Sequence, residues 1–111
     1  MEHEKLICYR QLTEVAEELG KSLRRWSSGN SELADQLKRA LISAVLNLAE
    51  GNGKWGFSKE RRRFFQMSMG SMSEAAACID LASCFDLIPR DNARILKEKL
   101  RASYYRVSKL P

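Results

Sequence analysis

Lys54, Lys59, Arg61, Arg62 and Arg63 crowd into one short stretch together with Trp55, Phe57, Phe64 and Phe65. Guanidinium forks pair with phosphate oxygens, and exposed rings stack on unpaired bases, so this combination is a candidate nucleic-acid contact. Arg94, Lys97 and Arg101 extend the candidate surface, and Lys99, Arg106 and Lys109 lie in the same part of the chain. The plainer reading makes the charges an ordinary solvated face, with Phe64 and Phe65 turned into a core. For the phenylalanines the core reading is preferred. For the arginines the residues leave both open.

Other chemistries find little to work with. Cys8, Cys78 and Cys84 are an odd set without metal-ligand spacing, and the single histidine, His3, lies at the start of the chain. The thiols read as reduced, small apolar residues, and neither a metal nor a cofactor is expected. Gly51, Gly53 and Gly56 fall close together, but no strand precedes them and no Gly-Lys-Ser/Thr follows, so a phosphate-cradling P-loop is excluded.

A chain of 111 residues has the length of one domain, read here as 1–111, and can bury a core without disulfides. Its formal charge of +5 is unevenly spread. Residues 1–53 carry 7 basic and 8 acidic side chains, whereas residues 54–111 carry 12 and 6. A field of that sign draws phosphate backbones or acidic partners and also aids solubility. No apolar run approaches the ~18 residues of a membrane helix, and no secretory signal opens the chain, so a cytoplasmic protein is expected.

The elements that must position these residues are helices. Tyr9, Leu12, Ala16, Leu19, Leu23 and Trp26 alternate steps of three and four, which predicts a first helix over about Glu4 to Trp26. Gly20 interrupts it, and close approach of a neighbouring helix is the preferred reason. Ser27-Ser28-Gly29-Asn30-Ser31 supplies the reversal. The stretch from Leu33 to Gly56 contains the second helix, closed by Gly51-Asn52-Gly53. Its core face is Leu37, Leu41, Ala44, Val45 and Leu48. A second apolar stripe, Ile42, Leu46 and Ala49, falls on another side, and Gln36, Arg39, Ser43, Asn47 and Glu50 gather on a third. A helix apolar on two sides in so short a chain must be central or must meet another subunit, so Ile42, Leu46 and Ala49 are a candidate oligomer interface.

Ser58 caps a third helix from about Lys59 to Phe85, with Phe65, Met69, Met72, Ala76, Ile79 and Ala82 as its seam. Gly70, Ser71 and Ala75-Ala76-Ala77 keep part of this helix thin enough for close packing. Pro89 stops it, and a fourth helix, about Arg90 to Ser108, carries Ala93, Leu96, Leu100, Tyr104 and Val107. Four such helices joined by short loops predict an all-α, antiparallel up-down-up-down four-helix bundle. Its expected core includes Leu12, Leu19, Leu37, Leu41, Leu48, Met72, Ile79, Leu96 and Leu100.

The blocks Gln36-Leu37-Lys38-Arg39-Ala40, Asn47-Leu48-Ala49-Glu50-Gly51 and Gly70-Ser71-Met72-Ser73-Glu74, with Phe64-Phe65 between the last two, occur in an order and at separations that carry a resemblance. They resemble the four-helix bundle family named after proteins encoded in intervening sequences of bacterial 23S ribosomal RNA genes. The resemblance is strong from Leu33 to about Leu87. It implies a homopentamer without established enzymatic activity. A related group serves diversity-generating retroelements as a basic pentameric barrel contacting reverse transcriptase and nucleic acid, which makes RNA, DNA and a reverse transcriptase the partners to consider. This chain departs from the pattern at Ala44-Val45-Leu46, where the family commonly has Ile-Pro-Ser. The second helix should therefore be straighter and carry an extra bulky apolar group.

Within those blocks Arg39, Asn47, Glu50, Ser71 and Glu74 are the matching polar residues. Glu50 and Glu74 as a general acid/base pair would need a cleft, a tuned pKa and a nucleophile or metal, none of which the sequence supplies. The preferred reading is a polar network in which Arg39 pairs with Glu74 or Glu50 while Asn47 bonds across helices. The expected protein is not an enzyme and has no small-molecule substrate. It is a homo-oligomeric nucleic-acid or ribonucleoprotein accessory factor, with a purely structural or protein-interaction scaffold as the alternative.

Overall fold

A computed structural model describes residues 2–56 and 58–111, apart from the side chain of Glu2. Four helices make up most of it: α1 (Glu2–Leu23), α2 (Ser31–Asn52), α3 (Lys59–Cys84) and α4 (Arg90–Ser108), with one 3-10 turn at Ser28–Asn30. No strand occurs among the described residues. The first helix ends three residues before the expected Trp26, because the chain there tightens into a turn in which Trp26 N–H donates to Leu23 O at 3.2 Å.

The helix ends follow from local chemistry. Ser58 Oγ accepts the Arg61 backbone N–H at 3.1 Å and so satisfies one open donor of α3. At the other end the chain turns left-handed at Asp86 (φ 61), and Leu87 N–H donates to Ala82 O at 2.8 Å while Asp86 N–H donates to Ser83 O at 3.1 Å. That pair of bonds closes the last carbonyls of α3, so the helix ends one residue before the expected Phe85, ahead of any steric effect from Pro89.

Packing runs around the bundle: α2 lies against α1 and α3, and α4 lies against α1 and α3, without diagonal contact among the described residues. Neighbours are antiparallel. Arg106 reaches Glu4 and Lys99 reaches Glu18 across α1–α4, and Lys97 reaches Asp80 across α3–α4. All nine expected core residues are buried. The first helix is rotated from expectation: its buried seam is Cys8, Leu12, Val15 and Leu19, and Tyr9 is exposed. Both sets obey the same periodicity, and the flanking helices decide which set lies at the centre. On α4 Tyr104 is exposed and Ser103 is buried, donating to Gln11 Oε1 at 3.3 Å.

The closest pair is α2 with α3. Small residues permit this approach: Ala40, Ala44 and Gly51 on α2 and Ser68 and Ala75 on α3 are all buried. Gly51 is required sterically, since a Cβ there would lie 2.5 Å from Phe65 Cε1. Gly20 and Gly70 are different, with nothing within 4 Å of an added Cβ. Close packing within the chain therefore does not explain Gly20, contrary to expectation.

Candidate assembly and nucleic-acid surfaces

Leu37, Ala40, Leu41, Ala44, Leu48 and Gly51 are the buried face of α2. At about 100° per residue, Ile42, Leu46 and Ala49 fall on the opposite side of the same helix. Ile42 is 57% and Leu46 59% exposed, and Ala49 is exposed as well. Val45, assigned to the core face, is half-buried beside it. Because α2 and α4 occupy diagonal corners, this apolar face points away from α4.

Polar contacts do cross between α2 and α3, through hydroxyls. Ser68 Oγ donates to Ala44 O at 2.6 Å, and Ser71 Oγ and Ser43 Oγ are bonded at 2.7 Å. Asn47 bonds within its own helix, Nδ2 donating to Ser43 O at 2.8 Å and to Ser43 Oγ at 3.0 Å. The expected charged pairing is not formed: Arg39 and Glu74 are exposed with no ion pair among the described residues, and Glu50 lies 3.8 Å from Lys54. Arg39, Glu50 and Glu74 stand in solvent outside the α2–α3 contact, which serine hydroxyls bridge instead. Ser68 was legible in the sequence, since 65, 68, 72 and 75 keep helical steps.

The basic candidates divide into three groups. Lys54 Nζ lies 3.3 Å from Glu60 Oε1 and sits over the Phe64 ring, Arg94 pairs with Glu98 at 3.1 Å, and Lys97 pairs with Asp80 at 2.6 Å. Arg61 is only 5% exposed, so it is not part of the surface as expected. Its Nη1 donates to Gly56 O at 3.2 Å, its guanidinium carbon lies 5.1 Å from the Phe65 ring centre, and Nε and Nη2 have no partner among the described residues. Lys59, Arg62, Arg63 and Arg101 are exposed and form no ion pair among the described residues. Arg62 lies beside Leu110 and Pro111, and Arg101 beside Met72 and Ser73, so both border the α3–α4 side of the bundle. Phe65 is buried and Phe64 half-buried, whereas Phe57 lies outside the described residues.

With this four-helix arrangement established, residues 4–107 match the family described as 23S rRNA-intervening sequence protein. The chain belongs to the 23S rRNA-intervening sequence protein family. A comparison with curated proteins found no match. In this family member the Asn47–Gly51 block is where α2 presses on α3, and its final glycine admits the Phe65 ring. The Gly70–Glu74 block supplies Ser71 to the hydroxyl bridge.

Two of the three thiols of this 23S rRNA-intervening sequence protein are inward, and Cys84 is exposed. Cys8 and Cys78 are buried, and in each case desolvation raises the thiol pKa above its ordinary value, with Glu4 adding to the rise at Cys8, Arg106 opposing it, and Glu74 adding to it at Cys78. A protonated thiol is a poor nucleophile. No group of His, Cys, Asp or Glu suited to a metal ion occurs among the described residues, and no described helix is long and apolar enough to cross a membrane.

Proposed function

We propose that this protein is a non-enzymatic homo-oligomer that joins copies through the outer face of α2 and engages nucleic acid through exposed cations of α3 and α4. The observation that carries the nucleic-acid reading is where those cations stand. Exposed Lys59, Arg62 and Arg63 occupy the first two turns of α3 beside buried Arg61, with Glu60 the single acidic residue among them. The N-terminus of a helix is its positive end, and each cation there costs stability, about 0.3–1 kcal/mol where it is exposed. Acidic residues would serve the fold better. Cations gathered against the helix dipole make sense when an anion arrives from outside.

Geometry supports the combination of roles. Assembly through α2 covers Ile42, Leu46 and Ala49 and leaves the diagonal α4 open, so Arg101 stays accessible in the oligomer. Five subunits is the number the family resemblance suggests. The free, largely buried thiols fit a reducing, cytoplasmic setting. The scaffold reading draws on one specific observation: Arg94, Lys97, Lys99 and Arg106 on α4 are each met by a carboxylate.

Titration of single-stranded RNA and DNA at several salt concentrations separates the two readings. Phosphate binding weakens steeply with salt, with a log–log slope of roughly −0.7 to −0.9 per contact. Replacing Arg62, Arg63 and Arg101 together by Ala should weaken binding and flatten that slope. Arg61 is excluded because its burial would confound the result. Absence of binding at about 50 mM salt removes the nucleic-acid reading and leaves the scaffold.

A further inference from the structure

Trp55 is 95% exposed, the most exposed large apolar side chain among the described residues. An indole buries a large area when it finds a partner, so a ring presented bare to water is unused binding surface. Its backbone is held on both sides. Before it, Gly53 N–H donates to Ala49 O and Glu50 O at 3.1 Å, and Lys54 N–H donates to Gly51 O at 3.2 Å. The Lys54 side chain is drawn between Glu50 and Glu60, which ties the end of α2 to the start of α3. After it, Gly56 takes the left-handed conformation (φ 64), and its carbonyl accepts from the buried Arg61 guanidinium. These anchors present the ring outward, and they assign buried Arg61 a role in positioning the connection.

We propose that Trp55 is a base-stacking platform, and that with Lys59, Arg62 and Arg63 it makes this end of the bundle select unpaired, single-stranded nucleic acid over duplex. The inference rests on the nucleic-acid reading and deepens it. Every base offers a π-face, so stacking tolerates any sequence, while the exposed cations in the first two turns of α3, which follow this connection, track the phosphates. In a duplex the base faces are already stacked and unavailable to the indole. Charge alone would favour the duplex, whose phosphates are denser. The adjoining cations favour nucleic acid over a second protein copy as the ring's partner.

The test uses a labelled RNA strand of about 16 nucleotides and the duplex of the same sequence, followed by anisotropy with the full chain. Trp26→Phe leaves Trp55 as the only indole, so its fluorescence reports directly on stacking. Single-strand binding should quench it. Trp55→Ala should weaken the single strand about 5- to 150-fold, equivalent to about 1–3 kcal/mol at about 1.4 kcal/mol per tenfold, and leave duplex affinity and salt slope unchanged. Salt-sensitive binding with equal affinity for Trp55→Ala and wild type keeps the functional reading and overturns this one. Absence of binding to either RNA overturns both. A Trp55→Ala change in sedimentation without RNA, with strand affinity intact, assigns the ring to a contact between copies and also overturns the inference.

Discussion

Gly51→Ala tests the α2–α3 contact most directly. The added Cβ would lie 2.5 Å from Phe65 Cε1 and 2.6 Å from Phe65 Cδ1, whereas carbons settle at about 3.5–4.0 Å. Relief requires a ring shift of about 1 Å, and Phe65 is buried, with Arg61 against its ring. Overpacking of this kind costs about 1–3 kcal/mol. Alanine gains about 1 kcal/mol over glycine inside a helix, which leaves a net loss of up to about 2 kcal/mol. Gly70→Ala is the control, because at mid-helix it receives at least the helix gain open to Gly51 in the last turn of α2, with nothing within 4 Å, and should stabilise by about 1 kcal/mol. Urea midpoints at constant m-value read both changes. Equal stabilisation by the two substitutions would refute the steric argument and show that Phe65 moves aside freely.

Leu46→Glu puts a charge on the outer face of α2 without touching the buried face, so sedimentation should show a smaller species at unchanged helicity; an unchanged oligomer or a monomeric wild type assigns that face another use. Asp86→Gly relieves a left-handed residue of its Cβ and should raise stability by about 1 kcal/mol, measured by thermal unfolding. Below the ordinary thiol value of 9.0 the buried Cys8 and Cys78 are protonated in both folded and unfolded chains; above it the unfolded chain ionises first, so stability should fall as pH rises through 9.0 toward the raised native values. A thiol reagent at about pH 8 should label exposed Cys84 in the folded protein and reach the other two only after unfolding.

Periodicity made the bundle legible, because apolar residues at steps of three and four have one packing solution in four short-looped helices. It also separated the two apolar faces of α2, which the fold places on opposite sides of that helix. The partial rotation of α1, which keeps Leu12 and Leu19 at the centre, was not legible: Cys8 and Val15 are as apolar as Tyr9 and Ala16, and only the neighbouring helices choose between them. Arg61 shows the same limit for charge. Its spacing from Ser58 and Phe65 is that of a helix face turned inward, but burial of an arginine is rare enough that composition alone points it to solvent. The serine bridge could be read from helical spacing, while the absence of an Arg39 pair depends on how α2 and α3 are turned toward each other, which no single helix encodes.

The unequal packing of the four helices bears on the order in which they form. Helices α2 and α3 are adjacent in sequence, closely fitted and joined by hydroxyl bridges, so their contacts require closure of only a short loop. The α1–α4 seam joins the first helix to the last, and of its polar partners Glu4, Arg106 and Gln11 are exposed or half-buried, with only Ser103 fully buried. The α2–α3 hairpin therefore forms the stable kernel, with the slowest amide exchange expected along its facing sides and earlier opening at the α1–α4 seam. The outer face of α2 belongs to that kernel. In the oligomer proposed above, a copy that loses α4 by partial opening would still carry the outer face of α2, so such an assembly would tolerate breathing at the far corner of each bundle.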